Sequence, residues 1–413
     1  MNPTPPTDLP STTRTIDVAR ERERTTGAAL SSHFNSAGSS LPSTGVVSAV
    51  VDHLRREEAI GGYEAAAEVR PAVEAVYASA ARLIGAEPAE IALFDSASTG
   101  LRVVLDALRP TRPQRILATS STYVSHALHL MTLTRSNDVE LLVAPTVGDR
   151  TVDLDALERT LADGPPAIVT AAHIPTSSGL VEPVAAIGAL VRAHGGVFVL
   201  DATQSAGHLD LDVDRIGCDV LVTTGRKFLR APRGTGFAYV RRSLADRLAP
   251  TAPDVRGAHW TSTFGWDLDD SARRFETWEA SIAGRLGLGV AIDEAIARDM
   301  PATEAWLCES GDALRARLSD IEGVSVVDPA DAASAIVTFV VAGVAPADAV
   351  VSLAAERVRV VSVPATHGQW DLGDRGITAV VRASVHVYND EDDVRALVDG
   401  VARLAGGART GAA

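Results

Sequence analysis

VFVLDATQSAGHLDLDVDRIGCDVLVTTGRKFLRAPRGTGFAYV, residues 197–240, is the stretch whose reading decides the fold. It holds three short apolar runs: VFVLDA (197–202), DVLVTT (219–224) and GFAYV (236–240). They are too short for helices, rich in β-branched and aromatic residues, and bounded by residues that punctuate turns. Runs that are apolar throughout, rather than alternating, read as strands buried on both faces. Working outward, the same signature recurs at IALF (91–94), RILAT (115–119), ELLVAP (140–145) and AIVTAA (167–172), with helical segments between. This alternation predicts an α/β fold. A mainly parallel seven-stranded sheet would be wrapped by helices, with ligand sites at the carboxyl ends of the strands.

The flanks divide the chain further. Residues 1–30 are polar, Pro- and Thr-rich, then charged (DVARERER, 17–24), which predicts a flexible N-terminal tail and a short helix. Helical spacing runs from Val46 to Glu58 and from Pro71 to Leu83. From about residue 290 the pattern changes. Helices at Ala302–Leu318, Pro346–Glu356 and Glu391–Leu404 flank short strands at VSVVD, AIVTFVVA and AVVRASVHV. We therefore expect a large domain over 31–288 and a smaller α+β C-terminal domain over 289–413. There is no internal repeat.

Composition narrows the function classes. With 46% hydrophobic and 22% charged residues the chain reads as a soluble globular protein. A formal net charge of -15 argues against binding nucleic acid or an anionic membrane surface. No run approaches the roughly 20 apolar residues of a membrane helix, and the N-terminus lacks an export signal pattern. Cys218 and Cys308 read as reduced thiols in a cytoplasmic protein. The 38 basic residues other than histidine include a single lysine, Lys227. Where only positive charge matters this chain uses arginine. A position that keeps lysine is one where arginine fails, because only lysine can shed its proton and act as a nucleophilic amine.

Asp201 ends one expected strand and Lys227 closely follows the end of the next, so both should sit at one rim of the sheet. Pyridoxal 5′-phosphate needs this pair: a lysine to form a Schiff base, and a carboxylate to keep the ring nitrogen protonated. Gln204 could donate to the ring's phenolic oxygen. Thr224 and Arg226, flanking the lysine, could bind the phosphate. His126 and His129 lie at helical spacing without a third ligand in view and read as structural, so no metal is expected.

TGRKFLRAPRGTGF, preceded by DATQSAG, resembles the class V aminotransferases of fold type I, a group that includes cysteine desulfurases and isopenicillin N epimerase. The resemblance spans roughly residues 31–400. It implies Lys227 as the lysine that holds the cofactor, Asp201 on the ring nitrogen and Gln204 on the phenolic oxygen. It places Ala97 and Ser98, in DSASTG, at a helix start facing the phosphate, a site that favours anions in any case. It matches Tyr123 to the ring-stacking position, Thr176 to a polar residue beside the phenolic oxygen, and Arg382 to the arginine that grips the substrate α-carboxylate. Asn35 and Ser36, in HFNSAGSSLPS, match the substrate-side loop. The resemblance also implies a homodimer with shared active sites, in which Thr261 or its neighbours in HWTS (259–262) reach the partner subunit's phosphate.

Cysteine desulfurases carry a mobile cysteine shortly before the carboxylate-binding arginine. The stretch SVPATHGQWDLGDRGITAVVRAS (362–384) contains none, so a persulfide-forming desulfurase is not expected. EEAIGGYEAAAEVRPAV (57–73) and the lysine segment resemble hercynylcysteine sulfoxide lyase, a carbon–sulfur lyase. The expectation is β-elimination from a cysteine conjugate or its sulfoxide. The alternatives are an epimerase like isopenicillin N epimerase, an aminotransferase, and, from another class, a cofactor-free interaction protein.

Overall fold

The computed structural model describes residues 16–110, 114–148 and 150–411. Its centre is a seven-stranded sheet: β1 (Ile91–Phe94), β2 (Arg115–Ala118), β3 (Glu140–Val143), β4 (Ala167–Ala172), β5 (Val197–Asp201), β6 (Val220–Thr224) and β7 (Gly236–Val240). The spatial order is β1-β7-β6-β5-β4-β2-β3. Only β7 runs antiparallel to its neighbours, so the sheet is mainly parallel, as the apolar runs predict. Alternate strand residues enter two separate cores. Leu117, Val169, Phe198 and Leu221 pack on one face, and Ile116, Ile168, Val199 and Val220 on the other. Burial on both faces is why these strands show no polar alternation.

An exposed hairpin follows, made of β8 (Ala258–Ser262) and β9 (Gly265–Leu268). A second sheet is built from β10 (Val324–Val326), β11 (Ile336–Val341), β12 (Val361–Pro364) and β13 (Ala379–Ser384), antiparallel in the order β10-β11-β13-β12. The core on one face of the large sheet runs on into this one through Ile336, Phe339, Val381 and Ala383. β13 lies between two neighbours, so Arg382 is an interior residue of the sheet, fixed from both sides.

The expected flexible tail meets two outcomes. Residues 1–15 lie outside the described residues. Residues 16–30 are packed: helix Val18–Glu23 is capped by Asp17, and Glu21 and Thr25 are buried. Arg22 binds Asp390 at 2.9 Å and Asp393 at 2.5 Å. Of the charges that suggested a solvated segment, Glu21 and Arg22 are spent on the buried partners Arg230 and Asp393, while Asp17, Arg20 and Glu23 stay exposed. Ser32 and His33 then pair in parallel with Val358 and Arg359, bringing the chain's start onto its C-terminal part.

Candidate active site

Parallel pairing of β5 with β6 sets Asp201 opposite Val222, so Asp201 and the turn after Thr224 share one rim. A cavity of about 220 Å³ opens there, at the carboxyl ends of the parallel strands. It is lined by Ala97, Ser98, Tyr123, Thr176, Asp201, Gln204, Thr224, Arg226 and Lys227. Nine of the residues expected at the site therefore converge, from segments up to 130 residues apart. A roomier groove of about 540 Å³ beside Tyr63 and Trp278 contains neither Lys227 nor Asp201. The smaller cavity is the one that holds the candidate catalytic pair.

The two halves of the sequence signature interlock. Gly207, at φ +81°, closes the turn after Asp201, and a Cβ there would lie 2.6 Å from the carbonyl oxygen of Phe228. Only glycine lets the lysine turn approach so closely. Lys227 is buried, with Nζ 5.9 Å from the Tyr123 ring centroid. Burial, and then the charges of Arg382 and Arg226, hold its ammonium well below the usual lysine range, against the pull of Asp201. Asp201 is also buried, and one oxygen accepts from the Thr203 N–H at 2.9 Å. Burial pushes its carboxyl up, opposed by Thr203 and by Lys227. Such a carboxylate suits a cationic partner, and a neutral amine suits an electrophile.

Gln204 donates to the Ala37 carbonyl at 3.2 Å, and its Oε1 has no hydrogen-bond partner. Thr224 Oγ1 donates to the Thr235 carbonyl at 3.2 Å. Arg226 donates to the Gly38 carbonyl. Ala97 and Ser98 begin the helix Ala97–Leu108, whose cap Ser96 accepts from the Thr99 N–H. Ser96, Ala97 and Ser98 at this helix start line the cavity, and a helix N-terminus favours an anion. Tyr123 caps the helix Val124–Asn137 and meets His367 edge-on at 6.0 Å.

Arg382 does not line the cavity, but its fully buried guanidinium reaches the wall. Nη1 donates to Thr176 Oγ1 at 2.5 Å and to the Thr176 carbonyl at 3.1 Å, and Nη2 lies 3.5 Å from Asn35 Oδ1. Burial lowers its pKa to about 10. Ser36 does not join the group. Its side chain is fully buried and its hydroxyl lies 3.0 Å from Tyr388 Oη. Thr261 is exposed on the β8–β9 hairpin.

Sequence reasoning passed over several wall residues. His173 does not itself line the cavity but sits between the wall residues Ala172 and Ile174, directly after β4; burial lowers it to about 4 and its Nδ1 has no partner. Arg233 and Asp95 line the cavity or its rim. Asp95 could have been found from its place directly after β1, whereas Arg233, in the loop between β6 and β7, carried no such signal. His126 lies 2.8 Å from Thr170 Oγ1, and His129 lies 2.9 Å from Asp106. Among the described residues no group of three His, Cys, Asp or Glu could hold a metal ion.

The residues fit pyridoxal phosphate. A buried amine and a buried carboxylate share one small cavity, an unpartnered amide oxygen lies between elements that meet there, and a helix N-terminus stands at one end. A family model for the class-V aminotransferases matches residues 33–397. A protein from Mycobacterium tuberculosis described as a probable hercynylcysteine sulfoxide lyase is 32% identical over 371 residues, covering 89% of this chain and 88% of that protein. A probable cysteine desulfurase of Halalkalibacterium halodurans is 27% identical over 288 residues, covering 69% and 70%. Among solved structures, the apo cysteine desulfurase of Thermococcus onnurineus superposes with a TM-score of 0.87, at 24% identity, covering 94% and 98%. That likeness establishes the shared fold.

Proposed function

The chain belongs to the class-V aminotransferase family, whose cofactor is pyridoxal 5′-phosphate, and from that premise we propose that it is a carbon–sulfur β-lyase acting on a cysteine conjugate or its sulfoxide. Family membership sets aside the cofactor-free reading. The observation that carries the choice of reaction is the segment just before Arg382. Residues 365–373 form a 3₁₀ turn and a π-helical turn, pinned where Asp371 accepts from Ser177 Oγ at 2.6 Å, and they bear no thiol. Cys218 precedes β6, about 20 Å of strand away from the Lys227 end. Burial pushes its thiol, and that of Cys308, up to about 12. Neither is a ready thiolate, so a sulfur acceptor within the protein is not part of the proposal. The similarity to a probable hercynylcysteine sulfoxide lyase supports the same choice.

The bound cofactor supplies an electron sink for a carbanion at the substrate Cα. In the proposed assignment Lys227 would be the residue that holds it covalently. Lys227 Nζ, whose ammonium burial, Arg382 and Arg226 all disfavour, would take the substrate's α-proton. Asp201 would keep the ring nitrogen cationic, and Tyr123 would stack on the ring. Ser98, the Ala97 N–H, Thr224 and Arg226 would hold the phosphate. Gln204 and Thr176 would serve the phenolic oxygen. Arg382, steered by Thr176 and Asn35, grips the α-carboxylate. The sulfur group leaves Cβ with a proton, and hydrolysis of the remaining three-carbon enamine by water gives pyruvate and ammonia. The exposed Trp260, Phe264 and Trp266 of the β8–β9 hairpin are the surface we assign to a second subunit.

Incubation with cysteine S-conjugates and their sulfoxides tests the reaction. Pyruvate, ammonia and the sulfur fragment should appear without added keto acid, and Cys218→Ser with Cys308→Ser should leave the rate largely intact. An epimerase would exchange the α-proton with solvent deuterium and invert configuration without ammonia release. An aminotransferase would stop after one turnover until a keto acid was supplied. Either result across the whole panel overturns the lyase proposal.

A further inference from the structure

The turn that carries Lys227 ends in an unusual residue. Arg230 has φ +63°, in the left-handed region that glycine occupies at no steric cost, and yet it is an arginine and almost completely buried. Its N–H donates to the Lys227 carbonyl at 2.9 Å, closing the turn. Its guanidinium binds Glu21 Oε2 at 2.7 Å, the Leu41 carbonyl at 2.9 Å and Thr25 Oγ1. Glu21 is itself buried, and Thr25 Oγ1 donates to its carbonyl at 2.6 Å. A strained backbone angle and a buried ion pair both cost free energy, and they coincide three residues after the lysine. A glycine at 230 would remove the first cost but could not reach Glu21.

We infer that Glu21 and Arg230 are positioning residues for Lys227: the N-terminal helix anchors the far end of the lysine turn and so fixes the base of the lysine's four-carbon stem. The near side of the turn is held as well. The Phe228 ring is stacked between His208 at 4.2 Å and His386 at 5.5 Å, and His386 Nε2 lies 3.1 Å from the Phe228 carbonyl oxygen. Lys227 is flexible beyond Cβ, so placing Nζ depends on a rigid turn beneath it. Misplacing a reacting group by about 1 Å can cost about 10²-fold in rate.

The inference rests on the proposed role of Lys227. Its test uses holoenzyme, with the visible circular dichroism per bound cofactor as the first readout, because that signal reports how rigidly the ring is held. In Arg230→Gly, which suits the left-handed backbone, the signal should fall and the pH midpoint of the visible absorption should move. Turnover should drop about tenfold or more with KM little changed. Arg230→Lys, still able to reach Glu21, should recover part of both. Wild-type dichroism and turnover in Arg230→Gly would overturn the inference. Should that variant fail to fold or to keep cofactor, Thr25→Val decides, since it removes one hydroxyl that joins Arg230 to the Glu21 helix and leaves the Arg230–Glu21 ion pair in place; unchanged dichroism there is equally fatal. Borohydride reduction of the wild type separates the two claims. Label on Lys227 with unaffected variants sinks the positioning role alone, and no label on Lys227 sinks both.

Discussion

Replacing Arg382 by lysine keeps a positive charge in the wall of the site and removes a fork. In the wild type both N–H groups of Nη1 face Thr176, while Nε has no partner and Nη2 has only a long contact to Asn35. The Nε–Nη2 edge is thus the side able to meet both oxygens of a carboxylate, and a lysine offers only a point charge in its place. Loss of one charged hydrogen bond is worth about 1.5–3 kcal/mol, which is about a 10- to 100-fold fall in kcat/KM at 1.4 kcal/mol per factor of ten. The assay compares elimination from a cysteine S-conjugate with elimination from its methyl ester, whose α-proton remains but whose carboxyl carries no charge. Arg382→Lys should depress the free acid by that factor and leave the ester nearly unchanged. The cofactor's visible spectrum should hold, because Arg382 is the largest charge acting on Lys227 and that charge is retained. Equal losses on acid and ester, or a free-acid rate within twofold of wild type, would refute the carboxylate clamp.

Borohydride reduction should fix the cofactor to one peptide, that of Lys227, and Lys227→Ala should abolish the label; peptide mapping checks both. Acid should destabilise the fold. Burial lowers His126 and His208 to about 3, and His33 and His173 to about 4, from an ordinary 6.5. The unfolded chain therefore binds more protons, and this stability is complete above pH 6.5 and lost as pH falls toward 4. Each histidine contributes a loss of about 2 kcal/mol by pH 5. Calorimetric Tm should fall between pH 7 and 5, and a flat profile would contradict the buried neutral rings. Replacing Trp260 and Phe264 of the hairpin together by serine should shift the sedimentation of the protein toward monomer. A wild-type profile would remove the hairpin from the subunit interface.

Local pattern went far toward the fold. The seven strands of the large sheet were legible as short apolar runs bounded by turn residues; most are buried on both faces, and the edge strand β3, half-buried to exposed, was read from its Leu-Leu-Val run alone. Strands that escaped notice are short and partly exposed: β12, with a half-buried face, and the β8–β9 hairpin, which is mostly solvent-facing. Apolar pattern records burial, and where there is little burial there is little pattern.

For the proposed site, the placing of Lys227 and Asp201 at one cavity was readable because chemistry restricts the types a pyridoxal phosphate site would need and strand ends restrict their place. One position allows only an amine that can lose its proton, and the other a carboxylate closing a buried strand. Contacts across long sequence separations were not readable. Nothing local to Ser36 tells that its hydroxyl faces Tyr388, 352 residues on. Nor does DVARERER reveal that Glu21 is paired with Arg230, 209 residues away, and not solvated. A charged side chain has the same one-letter identity in water and in an ion pair. Which of the two it occupies is set by what the rest of the chain brings to it, and that is decided only when the fold closes.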